Sequence, residues 1–447
     1  MRMLSINSCL RSAGLLLLAA APALTAADTP PTFYRDVLPI LQDRCQTCHR
    51  PGEVGPMPLR TFEEARPYAK AIKAAVLAKK MPPWFADPSV GHFSNDNSLP
   101  AREIATLTAW ADANAPAGDA KDAPAPRAFA QGWSIGDPGK GPDMVIEMPE
   151  AYPVPARGTI EYTYVIIPTG FKEDRWVAAT EFRPDQRAVM HHAVVFVRPP
   201  QSKWLRQYPV GKAFVPQEQL KTEPNPKNPA ATTDAGAGFV ESPIATYVPG
   251  RNETPLPKGY GYLIPAGSDI VLQLHYTTNG KAVEDKSRMG LVFAKGPVAK
   301  RVLRIPVGDD QFVIPAGAPN HPVSSALTMG VDGELVDLYP HMHFRGKAMN
   351  FSVKYPTGEQ QELLRVPKYD FNWQMIYQLA EPLKLPKGTV MRADAWFDNS
   401  PNNKYNPDPA KEVRWGDQSW EEMMVGFYDV AVPANADLRR VIGRSAQ

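Results

Sequence analysis

The sequence predicts a multidomain chain: a small all-α domain at the N-terminus, followed by two all-β halves. Three observations predict it. A C-x-x-C-H motif stands among short amphipathic segments before residue 115. From about Asp143 the pattern turns to apolar–polar alternation broken by Pro, Gly and Asn, the mark of many short strands. The length, 447 residues, is too great for one core.

The first element is a targeting signal. Arg2 and Arg11 flank the start of "LLLLAAAPAL", Leu15 to Leu24, and the small residues of "TAAD" follow. This is too short to span a bilayer and has the layout of a cleaved secretory signal. Residues 1–27 are assigned to it, with cleavage near Ala26 or Ala27, so a periplasmic or secreted protein is expected. No later apolar run approaches a membrane span, and no integral membrane segment is expected. The net charge is +2 without a basic cluster, which gives no reason to expect a nucleic-acid partner. Of three cysteines, Cys9 leaves with the signal. Cys45 and Cys48 are committed to one motif, so no disulfide is expected.

Residues 28–114 form the expected all-α domain. "TFYRDVLPILQDR" can pack Phe33, Val37 and Leu41 on one side. "TFEEARPYAKAIKAAVLAKK" opens on a capping box, Thr61 and Glu64. "LPAREIATLTAWADAN" places Ile104, Leu107, Trp110 and Ala111 on one face. Between them "CQTCH", Cys45, Cys48 and His49, reads as c-type haem attachment, with two thioethers and a histidine below the iron. A zinc site needs more ligands, and no further cysteines exist. Helices around one C-x-x-C-H resemble a small cytochrome c. The second axial ligand is expected to be Met81, whose backbone is fixed by Pro82 and Pro83. Met57 and His92 are the alternatives. Residues 115–142 follow as a linker, rich in Ala, Pro and Asp at its start.

The strand candidates are "TIEYTYVII", "RWVAATEF", "AVMHHAVVFV", "DIVLQLHYTT", "GELVDLYPHMHF", "KAMNFSVKYP" and "VMRADAWFD". They imply sandwiches or barrels. Pro199 to Pro243 reads as a long irregular insertion. A break near Arg304–Phe312 divides the β region into residues 143–303 and 304–447.

Five of the eight histidines lie in apolar strand contexts: His191 and His192, His275, and His341 with His343. His92 and His321 stand alone. A lone strand histidine is ordinarily a satisfied core or surface residue. Five need partners, because a buried imidazole nitrogen must be satisfied. His341 and His343, at i and i+2, share a strand face and can chelate one ion. Adjacent histidines on a regular strand point to opposite sides, so His191 and His192 can meet one ligand only if the strand ends or bulges there. His275 completes a three-histidine set for zinc or copper. "WGDQSWEEMMVGFYDV" offers the second pair a third ligand among Glu421, Glu422, Met423 and Met424. A thioether points to copper, a carboxylate to non-haem iron.

The ordered set "MHHAVVF", "VLQLHY", "PHMHFRGK" and "EEMMVGFYD" resembles the copper type II, ascorbate-dependent monooxygenases, which include peptidylglycine α-hydroxylating monooxygenase and dopamine β-monooxygenase. The likeness covers roughly Asp143 to Pro433. It implies two jelly-roll-like β-sandwich domains after the cytochrome c-like domain. It also implies two copper ions beside the one covalent haem c. His191, His192 and His275 would hold the electron-transfer copper. His341, His343 and Met423 would hold the catalytic copper that binds oxygen. Met423 is preferred to Met424 by the family's acidic-acidic-Met pattern, and Gln273 stands where the family has a glutamine. The implied activity is hydroxylation of a C–H bond in a small organic substrate with O2. Electrons would come from an ascorbate-like reductant or a periplasmic redox protein, through the attached haem. A non-hydroxylating electron-transfer or copper-binding protein is the competing expectation. Two departures stand out. Disulfides used by the peptide-hydroxylating members have no counterpart here. Their carboxylate-gripping arginine and tyrosine are replaced by Tyr339 and Phe427.

Overall fold

The computed structural model describes residues 29–129, 132–216, 242–249, 255–416 and 418–444. The expected signal, residues 1–27, lies outside them, as does most of the 199–243 insertion. The expected fold class is corrected in its first part and in its joint. About 37% of the chain is strand and 12% helical, and no substantial all-α domain is present. The N-terminal region holds only short α-helical segments, Leu38–Arg44, Phe62–Ala65, Ala69–Leu77 and Ala101–Asp112, the longest of 12 residues. The capping box forms as expected, with Thr61 accepting from the Glu64 backbone. It starts a helix of four residues that passes into a 3-10 turn at Arg66–Tyr68, where Pro67 stands. Phe33, Val37, Leu41, Leu107 and Trp110 do bury one small core. The chain between residues 45–61 and 78–100 is irregular, so the apolar period marked helix faces without enough helix to make a domain class.

The β region is two sandwiches fused through one sheet. An eight-stranded sheet takes Met144–Glu147, Arg288–Phe293, Arg175–Arg183 and Tyr260–Ile264 from the first half, then Lys300–Gly308, Val425–Pro433, Gly333–His341 and Tyr377–Leu385 from the second. The halves join where Tyr260 and Gly261 pair in parallel with Lys300 and Arg301. Each half carries its own five-stranded sheet. In the first, Asp269–Tyr276 lies between Thr163–Pro168 and Met190–Arg198. In the second, Val390–Phe397 lies between Gly346–Lys354 and His321–Met329. The cores fill the spaces between layers. Val195, Leu272 and Leu274 meet Val177, Ile264 and Leu291 in one. Phe351, Ala393 and Phe397 meet Leu303, Ile305, Tyr428 and Val430 in the other. The expected break at residues 303 and 304 falls inside the Lys300–Gly308 strand.

The seam has its own packing. Val302, Val336 and Ala431 of the second half cluster with Leu256, Tyr260 and Tyr262. Arg304 is buried and makes two hydrogen bonds to Asp429, at 2.7 and 2.6 Å, and one to Thr246 across the seam. The N-terminal region grips both halves. Glu53 takes Arg50 at 2.7 Å and Arg187 of the first half at 2.9 Å. The stretch from Trp84 to Asn95 lies on the second half: Trp84 and Phe93 pack edge-on against Tyr377, and Phe93 bridges to Leu379. Ser94 N and Ala380 N donate to Gln378 O and His92 O, both at 2.9 Å. This stretch covers the edge of the long sheet, which otherwise exposes unpaired backbone.

Candidate metal centres

Met190 pairs with Tyr276, and His192 pairs with His275, so the register slips and His191 is the extra residue. The strand is bulged at the paired histidines. The bulge turns His191 toward the side that His192 already faces. The result is a three-histidine cluster, with one ligand nitrogen from each of His191, His192 and His275 within 4.8 Å of the others. His191 Nδ1 and His192 Nδ1 stand 3.0 Å apart. His275 Nδ1 is buried without a hydrogen-bond partner. Tyr162 stacks on His275 at 4.5 Å between ring centroids. Gln273 Nε2 donates to the Tyr164 hydroxyl.

Burial pushes these imidazoles down, to about 4 for His191 and about 3 for His275. His192 lies well below the ordinary value, driven by burial and then by the neighbouring histidines. All three are therefore neutral at pH 7, the form that ligates metals. Two nitrogens facing at hydrogen-bond distance beside an orphaned third suit one shared cation, and the all-nitrogen donor set suits copper or zinc.

The second cluster is built differently. His341 ends the Gly333–His341 strand, and His343 stands two residues on in the turn before Gly346–Lys354. The expected strand pair is thus a strand end and a turn. Between them Met342 is fully buried in the core, and Tyr369 holds it by accepting from its N–H and donating to its carbonyl. The rings of His341 and His343 lie 5.3 Å apart, nearly perpendicular. His341 Nδ1 donates to Gln374 Oε1 at 2.7 Å, which leaves Nε2 as the free ligand atom. His343 Nδ1 is buried and unpartnered. Burial lowers His341 to about 4 and His343 well below the ordinary value.

The acidic-acidic-Met segment divides its work. Glu422 is fully buried and accepts from the backbone N–H groups of His343, at 2.8 Å, and Arg345. Burial pushes its carboxyl up to about 8 against the pull of those donors. Glu421 accepts from Gln418 N at 3.0 Å. Both carboxylates are thus engaged by backbone. Met424 is fully buried in the second core, whereas Met423 is half-buried. Met424 is thus committed to core packing, and the Met423 side chain is not.

Phe371 joins the clusters. Its ring stacks on His191 at 5.4 Å, lies 6.3 Å from His275, and meets His343 edge-on at 6.1 Å. Neither Phe371 nor Gln374 was legible beforehand, because both stand in an irregular stretch without period. Tyr339 and Phe427 are cross-strand partners, stacked at 5.4 Å beside His341. The Tyr339 hydroxyl donates to Gln374. Arg345 is tied to Asn399 and the Trp420 carbonyl. Lys347 is tied to Pro319 and Asn320. His321 lies apart, paired with Phe397 at a strand start.

The C-x-x-C-H turn also suits its group. Cys48 N and His49 N both donate to Cys45 O, so one turn presents both thiols and the ring. Cys45 and Cys48 are free. Burial pushes their thiols up to about 12 and about 11. The His49 ring is buried, and its Nδ1 donates to Met57 O at 3.0 Å, leaving Nε2 for iron. A Cβ at Gly55 would meet Cys48 O at 2.6 Å and His49 Nδ1 at 2.8 Å, so glycine is required for this close approach. Met81 is half-buried in the irregular stretch after Ala69–Leu77. Met57 packs on the small N-terminal core. His92 is exposed, and its backbone is bonded to the second half. Tyr247 of the first half pairs with Ala193, next to His192.

No family model matches the chain, and no curated protein matches it. Among solved structures it is similar to the VP2 subviral particle of infectious bursal disease virus, with 10% identity over 69% of this chain and 76% of that one and a TM-score of 0.18. It is similar to PNGF-II, with 11% identity over 65% of this chain and 60% of that one and a TM-score of 0.23. It is also similar to the tandem CBM22 domains of Paenibacillus barcinonensis Xyn10C, with 10% identity over 62% and 80% and a TM-score of 0.15. TM-scores this low carry no argument about the chain.

Proposed function

We propose that this protein is an exported copper-dependent monooxygenase that hydroxylates a C–H bond of a small organic substrate with O2 and receives electrons through a c-type haem on the same chain. One observation carries the reading: five buried or half-buried histidines, held neutral, form two clusters that meet across Phe371. The reading also rests on the resemblance of the four histidine and methionine motifs to the copper type II monooxygenases. His191, His192 and His275 would hold one copper, and His341, His343 and Met423 the other. When bound, the two coppers supply the one-electron transfers and the reduction of O2.

The chain's own residues position and exclude. Gln374 fixes the His341 tautomer, and Glu422 fixes the backbone that carries His343. Phe371 keeps water out of the space between the clusters. Cys45, Cys48 and His49 would hold the haem, with Met81 as its second ligand. The Glu53 bridge to Arg187 keeps that turn against the first sandwich. An ascorbate-like reductant or a redox protein of the same compartment would supply the haem.

The substrate is neutral or weakly polar. A buried carboxylate needs a charged fork or several donors. Tyr339 is committed to Gln374, Phe427 donates nothing, Arg304 is committed to Asp429, and Arg345 to Asn399. Among the described residues, helices long and apolar enough to cross a membrane are absent.

The test is metal analysis followed by turnover. Two coppers and one haem per chain, with O2 uptake matched by a hydroxylated product from a screen of neutral aromatic and alicyclic compounds, support the reading. Copper binding with reversible electron transfer but no O2-coupled product supports a carrier instead. Failure to bind copper overturns both.

A further inference from the structure

A cavity of about 280 Å³ lies where the haem turn meets the first sandwich, lined on one side by Arg50 and Glu53 and on the other by Arg183, Asp185, Arg187 and Arg288. Its charges do not balance. Four guanidinium groups face two carboxylates. Glu53 already serves both Arg50 and Arg187. Arg183 is paired with Glu181 at 2.8 Å, and the other Glu181 oxygen accepts from Ser134 N and Ile135 N. Arg288 has no ion pair among the described residues. It stands directly opposite Arg183 in the antiparallel ladder between Arg288–Phe293 and Arg175–Arg183. Like charges directly opposite each other destabilise a strand pair. Both line the same cavity.

We propose that this cavity binds a small oxyanion, a carboxylate or phosphate, with Arg288 as its fork and Arg183, whose Nη1 is held by Glu181 and the Gly132 carbonyl, adding positive charge beside it. Planar guanidinium groups grip such anions with two parallel hydrogen bonds each. On the far wall Arg50 shares the single carboxylate of Glu53 with Arg187. The cavity is lined on the N-terminal side by Arg50, Pro51, Gly52 and Glu53, which follow His49 in the chain. A bound anion would join the haem turn to the first sandwich. The site does not depend on the copper chemistry.

The experiment titrates the full haem-bearing chain with inorganic phosphate and with malonate, at ionic strength held constant with sodium chloride. Binding is read by calorimetry, and thermal unfolding is followed in parallel. Saturable one-site binding of either probe is expected, and the probe that binds names the chemistry. Arg288→Gln should weaken it at least tenfold. In anion-free buffer Arg288→Gln should melt no lower than the parent, because it removes the charge facing Arg183 while its other cross-strand neighbour, Glu147, keeps Lys286 at 2.7 Å. Arg288→Lys keeps the stem and the charge and should weaken binding severalfold, which keeps the test available if the glutamine variant does not fold. Absence of saturable binding of both probes overturns the proposal. So does binding that survives both variants unchanged, or a melting loss in Arg288→Gln that is the same with and without anion.

Discussion

The two histidine clusters use the same ring in opposite ways. In the first, His192 and His275 are direct cross-strand partners and a bulge adds His191, so the sheet itself collects three nitrogens. In the second, a strand end and a turn supply two rings, and other segments hold them: Gln374 by the His341 ring, Glu422 by the His343 backbone. The first is complete in nitrogen and closed by Tyr162 and Phe371. The second has two rings, and its proposed third ligand, Met423, belongs to a separate segment. The difference teaches that one ladder with a bulge can gather three nitrogens by itself, whereas rings from a strand end and a turn need other segments to hold them.

That contrast can be broken most sharply at the methionines. Met423→Ala is expected to lower O2-coupled turnover by more than about 100-fold, since loss of even an outer partner of a ligand costs about 10–100-fold. Haem and three-histidine copper spectra should stay as they were. Met424→Ala should instead cost about 2–5 kcal/mol of stability, as a buried methionine removed from a core, and show as a lower melting temperature. The reverse pattern would exchange the two residues' roles. Gln374→Leu should weaken copper at the second centre by about 10–100-fold while leaving the first centre unchanged, measured by competitive chelation of each spectroscopic signal. Equal loss at both would erase the distinction between built-in and borrowed support.

A smaller effect concerns the substrate. Removing a charge-assisted grip costs about 2–5 kcal/mol, so a glycine-extended peptide should bind more than about tenfold more weakly than it would to a site with a free arginine. Amidating its carboxylate should leave the binding constant unchanged, and weakening on amidation would show another grip. The smallest expected effect is none. Haem pre-reduced beside Cu(II) in the first centre, without oxygen, should oxidise at a rate that tenfold dilution does not change, as transfer within one chain requires. A rate that scales with concentration would place the transfer between molecules.

The pairing of His191 with His192 was legible because strand alternation forbids it, so only a distortion could make it useful. Nothing in the acidic-acidic-Met pattern shows that Glu422 turns to backbone N–H groups. Phe371 and Gln374 were hidden, because a loop position acquires its neighbours from the fold and not from spacing. The N-terminal region misled for a related reason. Apolar residues at helical period, such as Ile104, Leu107 and Trp110, are real core residues, yet the period does not say how long a helix lasts. Nor does any pattern mark Trp84 and Phe93 as residues that leave their own segment to pack on Tyr377. The continuous sheet was equally silent, since two parallel residue pairs at Tyr260 and Gly261 create it.

That short parallel join makes the long sheet a ruler. Neighbouring strands stand about 4.7–4.9 Å apart, so the offset between the halves is counted in hydrogen-bonded strands and not left to a hinge. Swinging one half away would break the join at Lys300 and Arg301, strip Thr246 from Arg304, and pull the covering stretch at Phe93 from its edge. The spacing of the two centres is thereby a property of register. The halves should melt in one transition, and two separated transitions would show that the join does not couple them.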